Sequence, residues 1–171
     1  MKQTKWFERK FDFTTDQNIF PSIIERLAGT PARLEEKLKT IPPDLLSKKI
    51  NNTWSIKENI GHLADLEPLW QGRLEDIING ATELRPTDLF NTKTDQANHN
   101  DKSLTELLSG FREARQQTLR SLENIDDQVI FKSALHPRLK TPMRTMDLFL
   151  FVAEHDDHHL ARITEISKLT A

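Results

Sequence analysis

The sequence predicts an all-α fold: a four-helix bundle in one domain over residues 1–171, with a long crossover between the second and third helices. Three observations carry this expectation. Four segments repeat apolar residues at helical spacing. Two serine–glutamate capping boxes mark where two of those segments begin. The connection near 80–102 is long for a bundle loop, which allows those two helices to lie parallel.

The first helical segment covers roughly 19–40 and is expected to break near Gly29. There, Thr30 followed by Pro31 reads as an N-cap with proline at the first helical position, restarting the helix through Leu34 and Leu38. The second segment starts at the capping box Ser55-Ile56-Lys57-Glu58 and stops at Asn79-Gly80. Its stripe is Ile56, Ile60, Leu63, Leu66, Trp70, Leu74 and Ile77, and Pro68 within it predicts a kink rather than an end. The third opens at Ser103-Leu104-Thr105-Glu106 and runs to about Leu122, and the fourth spans about Thr145 to Lys168. The connection 124–144 has room for a short extended piece but no further long helix.

Composition narrows the function classes. The chain has no cysteine, which excludes disulfides, thiolate ligands and a cysteine nucleophile, so any metal must sit on nitrogen or oxygen. A net charge of −2 lacks the basic footprint of a nucleic-acid binder, so no nucleic-acid partner is expected. No apolar run approaches the ~20 residues of a membrane span, and no apolar core follows the basic residues at the start. A cytoplasmic protein without a membrane partner is the expectation.

Histidine carries the chemistry. On the fourth helix, Leu148, Val152, Ile163 and Ile166 share a sector about 60° wide, and His155 and His159 fall inside it, one turn apart. Two imidazoles so spaced can chelate one ion. The spacing alone is weak, since a chain with this many histidines produces such a pair by chance about one time in six. His62 strengthens it, standing at the edge of the second helix's stripe, where a shared ligand would face a neighbouring helix. Three nitrogens leave a coordination position open, the mark of a catalytic rather than a structural metal. The competing reading makes these core histidines hydrogen-bonded to carboxylates such as Asp65 or Asp156. His158 points about 100° away from His159, toward the surface or a supporting role, while His99 and His136 are expected to be solvated in loops.

Two passages resemble the DinB-like (DinB/YfiT-like) family of metal-dependent enzymes. Trp54-Ser55-Ile56-Lys57-Glu58-Asn59-Ile60-Gly61-His62-Leu63-Ala64-Asp65 is similar to the family's second-helix pattern, in which a tryptophan–serine start leads to one ligand histidine. Ala153-Glu154-His155-Asp156-Asp157-His158-His159-Leu160-Ala161-Arg162-Ile163 is similar to its last-helix pattern, where the first and fifth positions of H-D-x-H-H are ligands. The resemblance implies a DinB-like bundle, often a homodimer, holding zinc, nickel or a similar divalent ion on His62, His155 and His159. It also implies thiol-dependent transfer or isomerisation in some members and hydrolysis in others. A zinc peptidase is disfavoured, because Asp156 stands where H-E-x-x-H places its glutamate.

Three classes of function follow. The first is a metal-dependent transferase or isomerase acting on a small-molecule substrate with a low-molecular-weight thiol cosubstrate. The second is a metal-dependent hydrolase, and the third a non-catalytic metal or small-ligand binder in stress response. The segment 132–144 carries Lys132, Arg138, Lys140 and Arg144 and no acid, and is a candidate for binding a thiol's carboxylate or else a solvated loop. Asp65, Asp156 and Glu58 are candidates for orienting ligand rings or moving protons.

Overall fold

In a computed structural model, which describes residues 3–169, the chain forms six helices and one short hairpin. The helices are α1 (Phe20–Leu38), α2 (Ile56–Ile78), α3 (Thr92–Gln96), α4 (Leu104–Glu123), α5 (Asp127–Phe131) and α6 (Thr145–Lys168). Strands β1 (Ser133–Leu135) and β2 (Pro142–Arg144) pair antiparallel, with Ala134 opposite Met143. The four long helices α1, α2, α4 and α6 make the bundle. No described helix is long and apolar enough to cross a membrane.

Both capping boxes form. Ser55 Oγ accepts the Glu58 N–H while the Glu58 carboxylate accepts the Ser55 N–H, and Ser103 and Glu106 repeat the arrangement. These pairs satisfy backbone donors that a helix start leaves without partners. Helix α2 runs through Pro68 and ends where Gly80 takes a φ of 74°. That left-handed conformation costs glycine nothing.

One expected break is absent. Helix α1 runs without interruption through Gly29, Thr30 and Pro31. Pro31 has no N–H for the carbonyl of Leu27, but the Arg115 guanidinium reaches across from α4 and donates to that oxygen at 3.1 Å. Thr30 is no N-cap. Its hydroxyl lies near the Arg26 carbonyl and, at 2.8 Å, the Asp156 carboxylate of α6. A tertiary contact thus repairs the defect that the local sequence would treat as a helix boundary.

Cross-helix contacts fix the directions. Lys57 meets Asn100 just before α4, Glu67 meets Arg115, and Gln71 meets Thr118, so α2 and α4 run parallel. Arg26 meets Glu154, Thr30 meets Asp156 and Lys37 meets Thr164, so α1 and α6 also run parallel. The parallel α2–α4 pair requires the crossover, which holds α3 and a single 3₁₀ turn at His99–Asp101. Helix α2 packs on α4 and α6, and α1 on the same two, leaving α1 and α2 diagonally opposed.

The core is divided by a polar layer. One apolar cluster gathers Phe20, Leu27, Trp70, Leu74, Leu148 and Val152, and the other Leu34, Ile60, Leu63, Phe111, Leu160 and Ile163. Between them Arg115 makes ion pairs with Glu67 at 2.7 Å and with Asp156 at 2.6 Å. Burial alone would lower the Arg115 pKa, but Asp156 and Glu67 outweigh it and hold the guanidinium charged. Glu67 is pushed up by its own burial against that pairing.

Candidate metal centre

Three buried histidines converge beside this layer. His62 comes from α2, and His155 and His159 from successive turns of α6, each offering a ring nitrogen within 4.8 Å of the others. The rings of His155 and His159 lie 4.5 Å apart between centroids, and His62 stands 5.2 Å and 4.9 Å from them. The Nε2 atoms of His155 and His159 are 3.2 Å apart.

The tautomers of two rings follow from their partners. Asn59 turns its Nδ2 toward the Ser55 carbonyl at 2.7 Å, so its Oδ1 faces His159 Nδ1 at 2.8 Å and accepts that N–H. His159 Nε2 therefore carries a lone pair. His62 Nδ1 lies 3.0 Å from Thr94 Oγ1, whose hydroxyl donates to Asp65 Oδ2 at 2.9 Å. His62 Nδ1 is thus the donor, and its Nε2 is also free to ligate. Asp65 reaches His62 only through Thr94 and also accepts from His99 Nε2 at 2.8 Å. His155 Nδ1 has no hydrogen-bond partner among the described residues.

All three rings are held neutral. Burial pushes His62 down to about 4, against a smaller opposing influence from Asp65. Burial likewise drives His155 and His159 well below the usual histidine value, and neighbouring imidazoles reinforce the shift. Neutral imidazole is the form that ligates metal.

The donor set fits a divalent ion. Two nitrogens bound tetrahedrally at ordinary metal–nitrogen distances stand about 3.3 Å apart, close to the observed Nε2–Nε2 separation. The support also fits, since ligand histidines commonly donate their second nitrogen to a carbonyl or a carboxylate-linked group.

The cluster forms one wall of a cavity of about 650 Å³. Trp6, Trp54, Trp70, Leu66, Leu69 and Phe151 supply most of its apolar lining. Trp54 donates to Asp95 at 2.8 Å and lies 4.6 Å from the His62 ring, while Trp6 and Trp70 stand 5.0 Å and 5.9 Å from His155. Half-buried His158 receives Arg9 Nη2 on its Nδ1 at 3.3 Å, leaving its proton at Nε2.

Several expectations change. His99 is buried, not solvated: its ring lies against Gly61, where a Cβ would come within 2.3 Å of it. His136 is buried too, at the turn of the β1–β2 hairpin. Asp156 meets Arg115 and Thr30 rather than the histidines, and Glu58 serves the capping box and an ion pair with Lys49 at 2.7 Å. The basic segment 132–144 is that hairpin, with His136 and Arg138 in the cavity wall and Arg144 paired to Asp147 at 2.7 Å. Asn59 and Thr94, which orient two of the rings, are not singled out by sequence reasoning. The only sequence signal for Asn59 is a polar side chain one position before Ile60 on a face that folds inward.

A sequence model of the DinB superfamily matches residues 26–163. Among solved structures, YfiT from Bacillus subtilis superposes with a TM-score of 0.79 at 22% identity, covering 95% of this chain and 94% of that one. It is described as a probable metal-dependent hydrolase with an unusual four-helix bundle topology. ClbS, a colibactin self-resistance protein solved in complex with dsDNA, gives 0.68 at 15% identity over 90% of this chain and 98% of that chain. An uncharacterized protein from Clostridium difficile 630 gives 0.67 at 16% identity over 92% and 100%. Among curated proteins no match is found.

Proposed function

The chain belongs to the DinB superfamily, and from that premise we propose that it is a metal-dependent enzyme whose divalent ion, zinc or nickel, is held by His62, His155 and His159. The observation that carries this reading is the convergence of three buried, neutral imidazoles on one point, two of them with their second nitrogen already engaged. When bound, such an ion supplies Lewis-acid activation of a nucleophile at neutral pH.

The chain's own residues do the rest. Asn59 and the Thr94–Asp65 pair hold the His159 and His62 rings at fixed orientations. Trp6, Trp54 and Trp70 restrict water beside the cluster, which strengthens electrostatic interactions there. His158 keeps a hydrogen-bond donor at Nε2 next to His159.

The nucleophile in the first reading is a low-molecular-weight thiol, and the reaction is S-transfer to, or isomerisation of, a small molecule. The chain has no cysteine of its own, and the one acid among the cavity-lining residues, Asp88, accepts backbone N–H groups from Phe90 and Thr92. Among the described residues that line the cavity, no carboxylate therefore faces the cluster as a general base for water, whereas a thiol loses its proton readily. The second reading, hydrolysis, is favoured by the description of the YfiT relative. The dsDNA complex is a property of ClbS, and the net charge of −2 favours a small-molecule partner here.

Elemental analysis of protein purified without a metal-binding tag should find about one divalent ion per chain. Turnover of small electrophiles that requires an added thiol, stops on chelation and returns with metal supports the first reading. Thiol-independent ester cleavage with the same metal dependence selects the second. Purified protein that takes up no divalent ion overturns both.

A further inference from the structure

Two arginines are 1% exposed, and they are treated in opposite ways. Arg115 meets two carboxylates. Arg73 of α2 makes no ion pair among the described residues: its Nε donates to the Arg85 carbonyl at 3.1 Å, its guanidinium lies 5.6 Å from the Trp70 ring centroid, and its Nη2 has no partner. Its Nη1 stands 3.3 Å from Nε2 of His136.

That last contact joins two donors. His136 Nδ1 accepts the backbone N–H groups of Arg138 and Leu139, each at 3.1 Å, so the proton of the neutral ring sits on Nε2. Burial, with Arg73 and Arg138 nearby, pushes His136 down to about 4, so the ring is neutral at pH 7. Burial lowers Arg73 only to about 10, so it remains a cation. A buried guanidinium and an imidazole N–H therefore face each other with no acceptor between them, an arrangement that is costly until an anion supplies one. Asp76 acts on Arg73 through space but is itself paired to Arg85 at 2.8 Å, so a water would accept both hydrogen bonds whereas an anion would also compensate the charge at the guanidinium.

Both side chains line the histidine cavity, as does Arg138, which packs on Phe7 and makes no ion pair among the described residues. Arg162, also in the lining, already pairs with Glu165 at 2.5 Å. Trp70 touches both ends, lying against Arg73 and 5.9 Å from the His155 ring, and Phe151 is 5.7 Å from His136.

We propose that Arg73 and His136, with Arg138 at their side, form a carboxylate-binding subsite, so that the substrate is a small organic acid whose apolar body lies along Trp70 and Phe151 and whose reacting end meets the histidine cluster. This assignment rests on the reading that the cavity is the reaction site. A planar guanidinium fork beside one neutral donor suits a planar monoanion better than a doubly charged phosphate.

Calorimetric titration of the full-length protein with octanoate, octan-1-ol and octyl phosphate tests it. Octanoate should bind at least about tenfold more tightly than octanol, and Arg73→Met and Arg138→Gln should each lose about tenfold in octanoate affinity while keeping that for octanol. His155→Ala, which removes a candidate metal ligand, should retain octanoate binding, so failure of the metal reading stays distinguishable from failure of this one. If Arg73→Met does not fold, Arg138→Gln, at a half-buried hairpin position, carries the comparison. Equal affinity for octanol and octanoate, indifference of the arginine variants, or loss of octanoate binding only in His155→Ala overturns the subsite. Tighter binding of octyl phosphate overturns the choice of carboxylate.

Discussion

His159 and His62 enter the cluster with their proton positions dictated from outside it, by Asn59 in one case and by Thr94 and Asp65 in the other. Losing such support typically lowers metal affinity about 10- to 100-fold. Asn59→Leu and Thr94→Val should each weaken zinc binding by that amount, read by competition with a chromogenic chelator; unchanged affinity in both would mean the rings need no orienting. Direct removal is more severe. His155→Ala or His159→Ala should lose most of the bound metal and His62→Ala should weaken it clearly, and full occupancy by elemental analysis in His155→Ala would remove the site as drawn.

At the scale of elements, the helix carrying Asn59, His62 and Glu67 depends on its start. The Ser55–Glu58 capping box opens α2 one turn before Asn59 and two turns before His62. Ser55→Ala should cost about 1 kcal/mol in urea unfolding. Arg115 ties the four bundle helices together, donating from α4 to Leu27 of α1, to Asp156 of α6 and to Glu67 of α2. Removing one partner of a buried pair typically costs about 3–5 kcal/mol, because a charge is left buried and uncompensated. Arg115→Met should fall in that range and uncouple Pro31 from its repair, and a loss below about 1 kcal/mol would show the layer to be solvated.

For the molecule as a whole, the two apolar clusters close around the polar layer and draw on none of the three candidate ligand histidines. Chelation should therefore leave the far-UV helical signal nearly intact and lower the melting temperature only by the mass-action share of the lost ligand. Collapse of the signal would mark a structural metal instead. The metal-free protein should also be acid-sensitive in a defined window. His62, His136 and His158 are pushed by burial to about 4 in the folded state, and His155 and His159 lie well below their usual value. In the unfolded chain each titrates near ~6.5, so below that pH the unfolded state binds more protons. The stability these rings contribute is complete above about pH 6.5 and declines as the pH falls toward 4. Urea midpoints measured from pH 8 to pH 4.5 on chelated protein should show that decline, and a flat profile would place the rings in solvent.

The amino-acid sequence by itself determined the helix starts at Ser55 and Ser103, the stop at Gly80, the inward stripe of α6 and the pairing of His155 with His159, because each depends on neighbours within a turn or two. The long link at 80–102 also foretold the parallel α2–α4 pair, since short links cannot join parallel helices. Tertiary structure alone decided the continuity of α1 through Pro31, the burial of His99 and His136, and the unmatched Arg73. Those outcomes turn on partners far apart in the chain: Arg115 for the Leu27 carbonyl, Asp65 for His99, and the hairpin turn for Arg73. Hydrogen bonds and desolvation are set by what lies within a few ångströms in space, and no periodicity along the chain records which distant side chain arrives there.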